Sequence, residues 1–220
     1  MKKILRKSLL VVTLLSSSLV TSCYKESEQK AEEKKEEPKP TEQPSTPIPS
    51  QPQQVVVSYV DGSETKTVED PKELTPNTAE LTEGFYVVKN QVTLSKALEV
   101  KGDVTKPVKI IVTDGATLNF GTEASPLGAT ALNGTGGLYI YGQISSTRKI
   151  NIFTKDVKDV VKVGQYIQKG CNVSINNALT EGAETPVELG SAIVVAESSF
   201  SIEKGKLELK GNYVNGLNIS

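Results

Sequence analysis

The sequence predicts an all-β fold in which short strands stack as a solenoid, with a β-sandwich as the alternative. Three observations predict it. From Val55 onward, runs of mostly three to five residues alternate apolar and polar side chains, as half-buried strands do. Asparagine recurs beside these runs, as it does in turns and stacked polar ladders. Similar phrases, among them KIIVTDGATLNFG, GGLYIYGQ, KLELKGN and NGLNIS, each resemble one rung of a coil.

The composition excludes several kinds of site. None of the 220 residues is histidine, which removes Ser-His-Asp triads and His-ligated zinc or haem centres. The 2 cysteines are too few for a Cys₄ metal site. A balance of 25 basic against 26 acidic residues argues against a nucleic-acid binder, which usually shows a basic face. We therefore expect no metal, no cofactor and no nucleic-acid partner.

Residues 1–22 have the three parts of an export signal. A cationic head (Lys2, Lys3, Arg6 and Lys7) precedes an apolar stretch, Leu9 to Val20, which small residues follow. That stretch is shorter than the roughly 20 residues that a membrane-spanning helix needs. It therefore predicts a cleavable signal peptide.

The run Val20-Thr21-Ser22-Cys23 resembles the lipobox of bacterial lipoproteins. The resemblance implies that the Cys23 thiol is diacylated and that cleavage leaves this residue first in the mature chain, so that the lipid bilayer is a partner. Each buried CH₂ of an acyl chain contributes about 0.8 kcal/mol to membrane binding. The alternative is an ordinary secretory signal with an incidental cysteine. Tyr24, in place of the Asp that retains some lipoproteins at an inner membrane, favours the outer membrane or cell surface.

Residues 23–54 are predicted to be a disordered tether. The first half is charged, the second half holds six of the 11 prolines, and glycine is absent before Gly62. Such a segment buries too little apolar surface to offset the entropy of ordering it. A short surface helix at AEEKKEE and a proline-rich docking ligand are the alternatives. Loss of residues 1–22 would leave 21 basic against 26 acidic residues, a charge of about −5.

Residues 55–82 are predicted to be a hairpin and a connector, and residues 83–220 a solenoid-like domain. Val55–Tyr59 and Thr65–Val68 flank Asp61-Gly62, a strong short-range hairpin signal, and a turn-rich connector, Pro71–Thr82, follows. Residues 123–137 and 178–190 would loop out. The strand-like runs are Phe85–Val88, Val92–Leu94, Leu98–Val100, Val108–Val112, Thr117–Phe120, Leu138–Tyr141, Lys149–Phe153, Val160–Val163, Val173–Ile175, Ile193–Val195, Phe200–Ile202, Leu207–Leu209 and Leu217–Ile219.

The stretch GFYVVKNQVTLSKALEVKGDVTKPVKIIVTDGATLNFG, followed by LYIYGQ, resembles the opening of a class of bacterial surface lipoproteins and adhesin-like proteins. The resemblance covers residues 80–145 well and the rest loosely. It implies a right-handed parallel β-helix, related in shape to pectate lyases, and a surface location. It implies at most carbohydrate or host-matrix binding, and it carries no catalytic motif.

Tyr139 and Tyr141 are the predicted binding residues. They alternate with Leu138 and Ile140, so if the aliphatic pair points inward, both rings stand on one outer face, roughly 7 Å apart. Two exposed rings at that spacing could stack on adjacent sugar units. The alternative is that the rings cover a neighbouring loop or stack within the coil.

No catalytic site is predicted. Asp61 and Asp114 precede glycine and are explained as turn residues, Asp156 and Asp159 have no further ligand nearby, and Arg148 is the domain's only arginine. Cys171 is expected to face inward as an inert, small apolar residue. The prediction is a non-enzymatic surface module for carbohydrate or extracellular matrix. A structural or shielding protein is the second hypothesis and a polysaccharide lyase the third.

Overall fold

The computed structural model describes residues 54–144, 147–182 and 188–220. Within these ranges the chain forms β-strands and no helix, so the predicted all-β class is confirmed. The strands are β1 (Val56–Asp61), β2 (Glu64–Glu69), β3 (Lys72–Glu73), β4 (Glu80–Leu81), β5 (Gly84–Val88), β6 (Gln91–Leu94), β7 (Leu98–Val100), β8 (Val108–Val112), β9 (Thr117–Phe120), β10 (Leu132–Gly134), β11 (Gly137–Gly142), β12 (Lys149–Lys155), β13 (Val161–Lys169), β14 (Asn172–Ala178), β15 (Ser191–Lys204), β16 (Leu207–Gly211) and β17 (Asn215–Ile219). The predicted signal peptide, Cys23 and the tether up to residue 53 lie outside the described residues.

The predicted hairpin is present at the start of the described chain. β1 and β2 pair antiparallel along their whole length, and their last pair is Asp61 with Glu64. The two-residue loop between them is Gly62-Ser63, one residue beyond the expected Asp61-Gly62 centre. Gly62 has a φ of 64°, which suits the first central position of a type II′ turn.

The other strands form three parallel ladders. Only the pairs that involve β1 are antiparallel among the described strands. Ladder one is β3–β5–β8–β11–β13–β15, ladder two is β6–β9–β12–β14–β16, and ladder three is β4–β7–β10–β13–β15–β17. β13 and β15 are long enough to join ladder three with their first residues and ladder one with their last. A β-sandwich, the alternative prediction, consists of antiparallel sheets and therefore does not describe these parallel pairings.

From β5 onward, the chain visits ladders one, two and three in the same order on every pass. In ladder one, Gly84, Val108, Leu138, Tyr166 and Phe200 occupy equivalent positions, so successive passes are 24, 30, 28 and 34 residues long. The unequal lengths explain why the sequence shows no clean repeat, because the loops between strands differ in length while the strands keep the same neighbours on successive passes.

Two segments that the sequence predicts to be a connector and an insert contain strands of the ladders. The segment expected to be a connector, Pro71–Thr82, contains β3 and β4, which already pair in ladders one and three. Its two leucines, Leu74 and Leu81, are 1% and 0% exposed. The segment 123–137, expected to loop out, contains β10 and the start of β11. β10 has only three residues, too few to give an alternating pattern, so only its pairing partners reveal it.

The core lies between the ladders and is built from inward columns. In ladder two, Leu118, Ile150 and Val173 are 0%, 2% and 2% exposed and sit at equivalent positions on neighbouring strands. Burial of each such side chain is worth about 1.5–3 kcal/mol. The polar residues between them point outward, as alternation along a strand requires.

One glycine lets β13 pass from ladder three to ladder one. Gly164 lies between the two ladder segments of β13, where the pairing with β15 shifts register. A Cβ at this position would sit 2.1 Å from the backbone oxygen of Thr135. The corner therefore has no room for any side chain.

Candidate functional site

The outer face of ladder two carries an open groove. On β12, Ile150 and Ile152 are buried, whereas Asn151 and Phe153 alternate with them and remain partly accessible. The same alternation on β14 and β16 brings further polar side chains beside this pair. The resulting groove has a volume of about 470 Å³, within the range of about 300–1,000 Å³ typical of small-ligand sites.

Phe153 supplies an aromatic ring to this groove. It pairs with Asn176 of β14, which pairs in turn with Lys210 of β16, so the three outward side chains form one column. The Phe153 ring is half-buried and retains accessible surface. It was not among the residues predicted to bind.

A hydrogen-bonded row of polar side chains starts beside the ring at Asn151, the member of the row that lines the groove. Asn151 Nδ2 donates to Asn119 Oδ1 at 2.9 Å, and Asn119 Nδ2 donates to Thr93 Oγ1 at 3.3 Å. This is the stacked polar ladder that the recurrent asparagines predict. Ser174 and Glu208 continue the same column on the next two strands. The hydrogen bonds hold the amides in fixed orientations, which a binding surface requires.

The groove is lined by charges of both signs. Lys149, Lys206 and Lys210 contribute three cations, and Glu123 and Glu208 contribute two anions. Glu208 lies 3.2 Å from the Lys210 ammonium and 3.4 Å from that of Lys206. Hydrogen bonds from Lys210 and, to a smaller extent, from Lys206 lower the pKa of Glu208. This carboxylate is therefore ionised at neutral pH.

The loop between β9 and β10 forms one rim. The Leu127 N–H donates to the Phe153 carbonyl at 2.9 Å, and the Lys155 N–H donates to the Leu127 carbonyl at 2.8 Å. These two bonds attach the loop to the end of β12. Glu123 reaches the groove from this loop. The loop is therefore built into the site even though its sequence predicts only an insert.

The structure places the predicted tyrosines elsewhere, on the outer face of ladder one. Leu138 and Ile140 are buried, as expected, and the Tyr139 and Tyr141 ring centroids are 6.5 Å apart. Tyr141, however, is only 4% exposed, because the ring of Tyr59 packs edge-on against it at 4.8 Å. Burial raises the pKa of Tyr141. The expected pair of solvent-facing rings is thus not presented, and the alternative of rings covered by a neighbouring segment describes Tyr141.

The hairpin covers this face of ladder one. Val57 and Tyr59 of β1 pack with Val87, Ile111 and Tyr141, which point outward from β5, β8 and β11. The sequence itself indicates that the outer face of ladder one is covered. The runs FYVV, IIV and LYIY are apolar without interruption, which indicates strands buried on both faces.

Among the residues weighed for catalysis, Arg148 pairs with Asp114, whereas Asp156 and Asp159 have other partners. Arg148 is 4% exposed and its Nη1 lies 3.4 Å from Asp114 Oδ1. Asp156 accepts the Thr180 N–H at 2.8 Å, and Asp159 accepts a backbone N–H at the start of β15 at 2.9 Å. Both carboxylates thus accept hydrogen bonds from backbone N–H groups of the chain itself. Within the described ranges, no three Cys, Asp or Glu side chains come close enough to hold a metal ion.

Cys171 is buried at the corner between β13 and β14, with 2% of its surface exposed. Its φ is 68°, a left-handed conformation that is uncommon outside glycine. Burial raises the pKa of its thiol to about 12. The thiolate, which is the nucleophilic form, is therefore scarce at neutral pH.

Comparison of the chain with protein-family models, curated proteins and solved structures finds no significant match. In the part of the chain that the structure describes, no helix has the length and apolar character needed to cross a membrane.

Proposed function

We propose that this protein is a membrane-anchored bacterial surface lipoprotein whose β-domain is a non-enzymatic carbohydrate-binding module. The lipobox-like run ending at Cys23 supports the acyl anchor, and the charged, proline-rich residues 23–54 support a spacer. In this proposal the anchor lies in the outer membrane or at the cell surface, and the ligand is a glycan, free or within a host matrix.

The β-domain is, in this proposal, a right-handed parallel β-helix. Three parallel ladders, visited in the same order on successive passes, support it. The right-handed sense rests on the strong preference of parallel crossovers for that hand.

The Phe153 groove is the observation that carries the binding proposal. The apolar face of a sugar ring can pack on an accessible aromatic ring while its hydroxyls meet fixed polar groups. Here an aromatic ring adjoins Asn151, whose amide is held in place by its hydrogen bond to Asn119, and carboxylates and ammonium groups lie around it. Glu208 has a lowered pKa, whereas an acid catalyst of glycoside cleavage needs a raised one.

A glycan array tests the groove against the predicted tyrosine face. Phe153→Ala should lose about fivefold or more in affinity for the oligosaccharides that the wild type retains, on the scale of the about 1–3 kcal/mol that an aromatic side chain contributes when a nucleic-acid base stacks on it. Tyr139→Ala is the matched control, because it removes a half-buried ring from ladder one. Loss with Tyr139→Ala alone would move the site to the tyrosines.

A structural or shielding role is the second candidate. Exposed Lys–Glu pairs join successive passes, for example Lys101 with Glu80 at 2.5 Å and Lys106 with Glu83 at 3.4 Å. Such pairs give a polar exterior without a ligand. A wild-type protein that retains none of a broad panel of neutral and acidic oligosaccharides would favour this role.

A further inference from the structure

The last pass of strands ends in an exposed edge. Within the described residues, β16 pairs only with β14, and β17 pairs only with β15. We call the outer edges of residues 199–204, 207–211 and 215–219 the terminal edge. Four apolar side chains there are 36% to 48% exposed: Ile202, Leu209, Leu217 and Ile219.

The same columns are sealed one pass earlier. Ile175 and Ile193, which pair with Leu209 and Leu217, are both 0% exposed. The terminal edge thus presents a cross-section of the core together with unpaired backbone groups. Natural proteins normally cover such edges, and an exposed apolar patch marks an interaction surface.

The backbone of β16 directs alternate residues to the open side. The Val173 N–H donates to the Lys206 carbonyl at 2.8 Å, and the Asn212 N–H donates to the Asn177 carbonyl at 3.1 Å. Since alternate residues of a strand bond to the same neighbour, the even-numbered residues of β16 bond to β14. The odd-numbered residues, with Leu209 at their centre, turn their N–H and C=O groups to the terminal edge.

We propose that two copies of this chain join end to end through the terminal edge, with β16 of each copy paired antiparallel about a two-fold axis at Leu209. In this register Leu209 faces its own counterpart and Leu207 faces Gly211. The outward N–H and C=O groups of the two strands then meet as hydrogen-bonded pairs. The unpaired backbone groups of the terminal edge in one copy are therefore hydrogen-bonded by the same groups of a second copy.

The charges select this register. Glu208 of each copy lies directly opposite Lys210 of the other, in non-hydrogen-bonded positions where side chains come closest. The two neighbouring registers that also match the backbone groups are centred on Glu208 and on Lys210. The first places Glu208 against Glu208 and Lys206 against Lys210, and the second places Lys210 against Lys210. Like charges directly opposite destabilise a strand pair.

The rest of the terminal edge is compatible with the same axis. Because the chain visits the ladders in the order one, two, three, a two-fold axis through ladder two exchanges ladders one and three. The second half of β15 in one copy then runs antiparallel beside β17 of the other. Ile202, Leu217 and Ile219, exposed in a single copy, become covered. The two grooves of ladder two meet at the junction.

A symmetric disulfide is the first test. Leu209→Cys in the full chain should give a cross-linked dimer on mild oxidation, because residues directly opposite have Cβ atoms about 4.5–5.5 Å apart. Glu208→Cys is the matched control, since that residue lies opposite position 210, and it should cross-link much less. The wild type measures the background from Cys23 and Cys171.

Charge reversal is the second test, by sedimentation equilibrium of the full chain in density-matched non-ionic detergent without glycan. Glu208→Lys and Lys210→Glu should each raise the dimer dissociation constant about tenfold or more, because two attractive pairs become repulsive. The double variant should return it to within about threefold of wild type. Thermal unfolding confirms that each variant is folded.

Two outcomes would overturn the inference: a wild-type chain that stays monomeric, or Glu208→Cys cross-linking as readily as Leu209→Cys. The first result would mean that another part of the chain or another partner covers the terminal edge. The second would mean that the two β16 strands do not pair about Leu209. Neither depends on the carbohydrate proposal, because no glycan is present.

Discussion

Asp61 shows how one side chain fixes the hairpin to the ladders. Its carboxylate accepts hydrogen bonds from Lys66 and Lys169, each at 2.8 Å. Lys66 belongs to the hairpin and Lys169 to the end of β13. The side chains of Asp61 and Lys169 are both 19% exposed, so solvent screens this pair only in part. From sequence, Asp61 is a turn residue beside glycine, and nothing local indicates a partner 108 residues away.

The pair predicts a loss of stability in acid. Hydrogen bonds from Lys169 and then Lys66 lower the pKa of Asp61, and the hydrogen bond to Asp61 raises the pKa of Lys169. The Asp61 contribution is therefore present above about pH 4 and lost as the pH falls further, whereas the Lys169 contribution is lost only above about pH 10.5. Asp61→Asn should lower the free energy of unfolding by about 1 kcal/mol at pH 7 and by less at pH 3.

Urea unfolding followed by tyrosine fluorescence measures this, since the chain has 7 tyrosines and no tryptophan. Glu64→Gln is the control, because that carboxylate is 72% exposed and 3.7 Å from Lys66. An Asp61→Asn effect of the same size at both pH values would contradict the assignment.

At the scale of secondary-structure elements, the long strands β13 and β15 each connect two ladders. Each is predicted as one or two short runs, such as Val160–Val163 or Phe200–Ile202, yet each continues from ladder three into ladder one. The inward positions of these runs are predictable because alternation is local. Their continuity depends on the corner, where the small size of Gly164 allows close contact with the previous pass.

Gly164→Ala should destabilise the protein strongly. The added Cβ would lie 2.1 Å from a backbone oxygen that cannot move without shifting a strand. Overpacking of this kind costs about 3 kcal/mol or more. Gly128→Ala is the matched control, since its Cβ would meet nothing within 4 Å, and a change within about 0.5 kcal/mol is expected. Thermal unfolding compares the two, and similar melting temperatures would contradict the proposed tight corner.

At the scale of the whole molecule, the proposals describe a body with three distinct regions. Ladder one is covered by the hairpin, ladder two carries the groove, and the terminal edge is open. Of these, only the hairpin is predictable from a short motif. The proposed acyl anchor concerns residues outside the described ranges and is tested chemically.

Metabolic labelling with radioactive palmitate tests the anchor. Wild type should incorporate label and fractionate with membranes, whereas Cys23→Ser should do neither, because the thiol is the acceptor of the acyl chains. Cys171→Ser is the matched control for the other cysteine, which is buried, and should keep its label. Equal labelling of wild type and Cys23→Ser would contradict the lipoprotein proposal.

The sequence alone determined the all-β class, the hairpin and the inward direction of residues such as Leu138 and Ile140, because strand alternation and turn chemistry act over a few residues. Only the tertiary structure decided that the hairpin covers Tyr141 and that Phe153 adjoins the amide row. Those outcomes depend on which strands become neighbours across passes of 24 to 34 residues. Which residues become neighbours depends on the lengths of the loops between strands, and those lengths differ from pass to pass. A local sequence pattern therefore does not reveal these contacts.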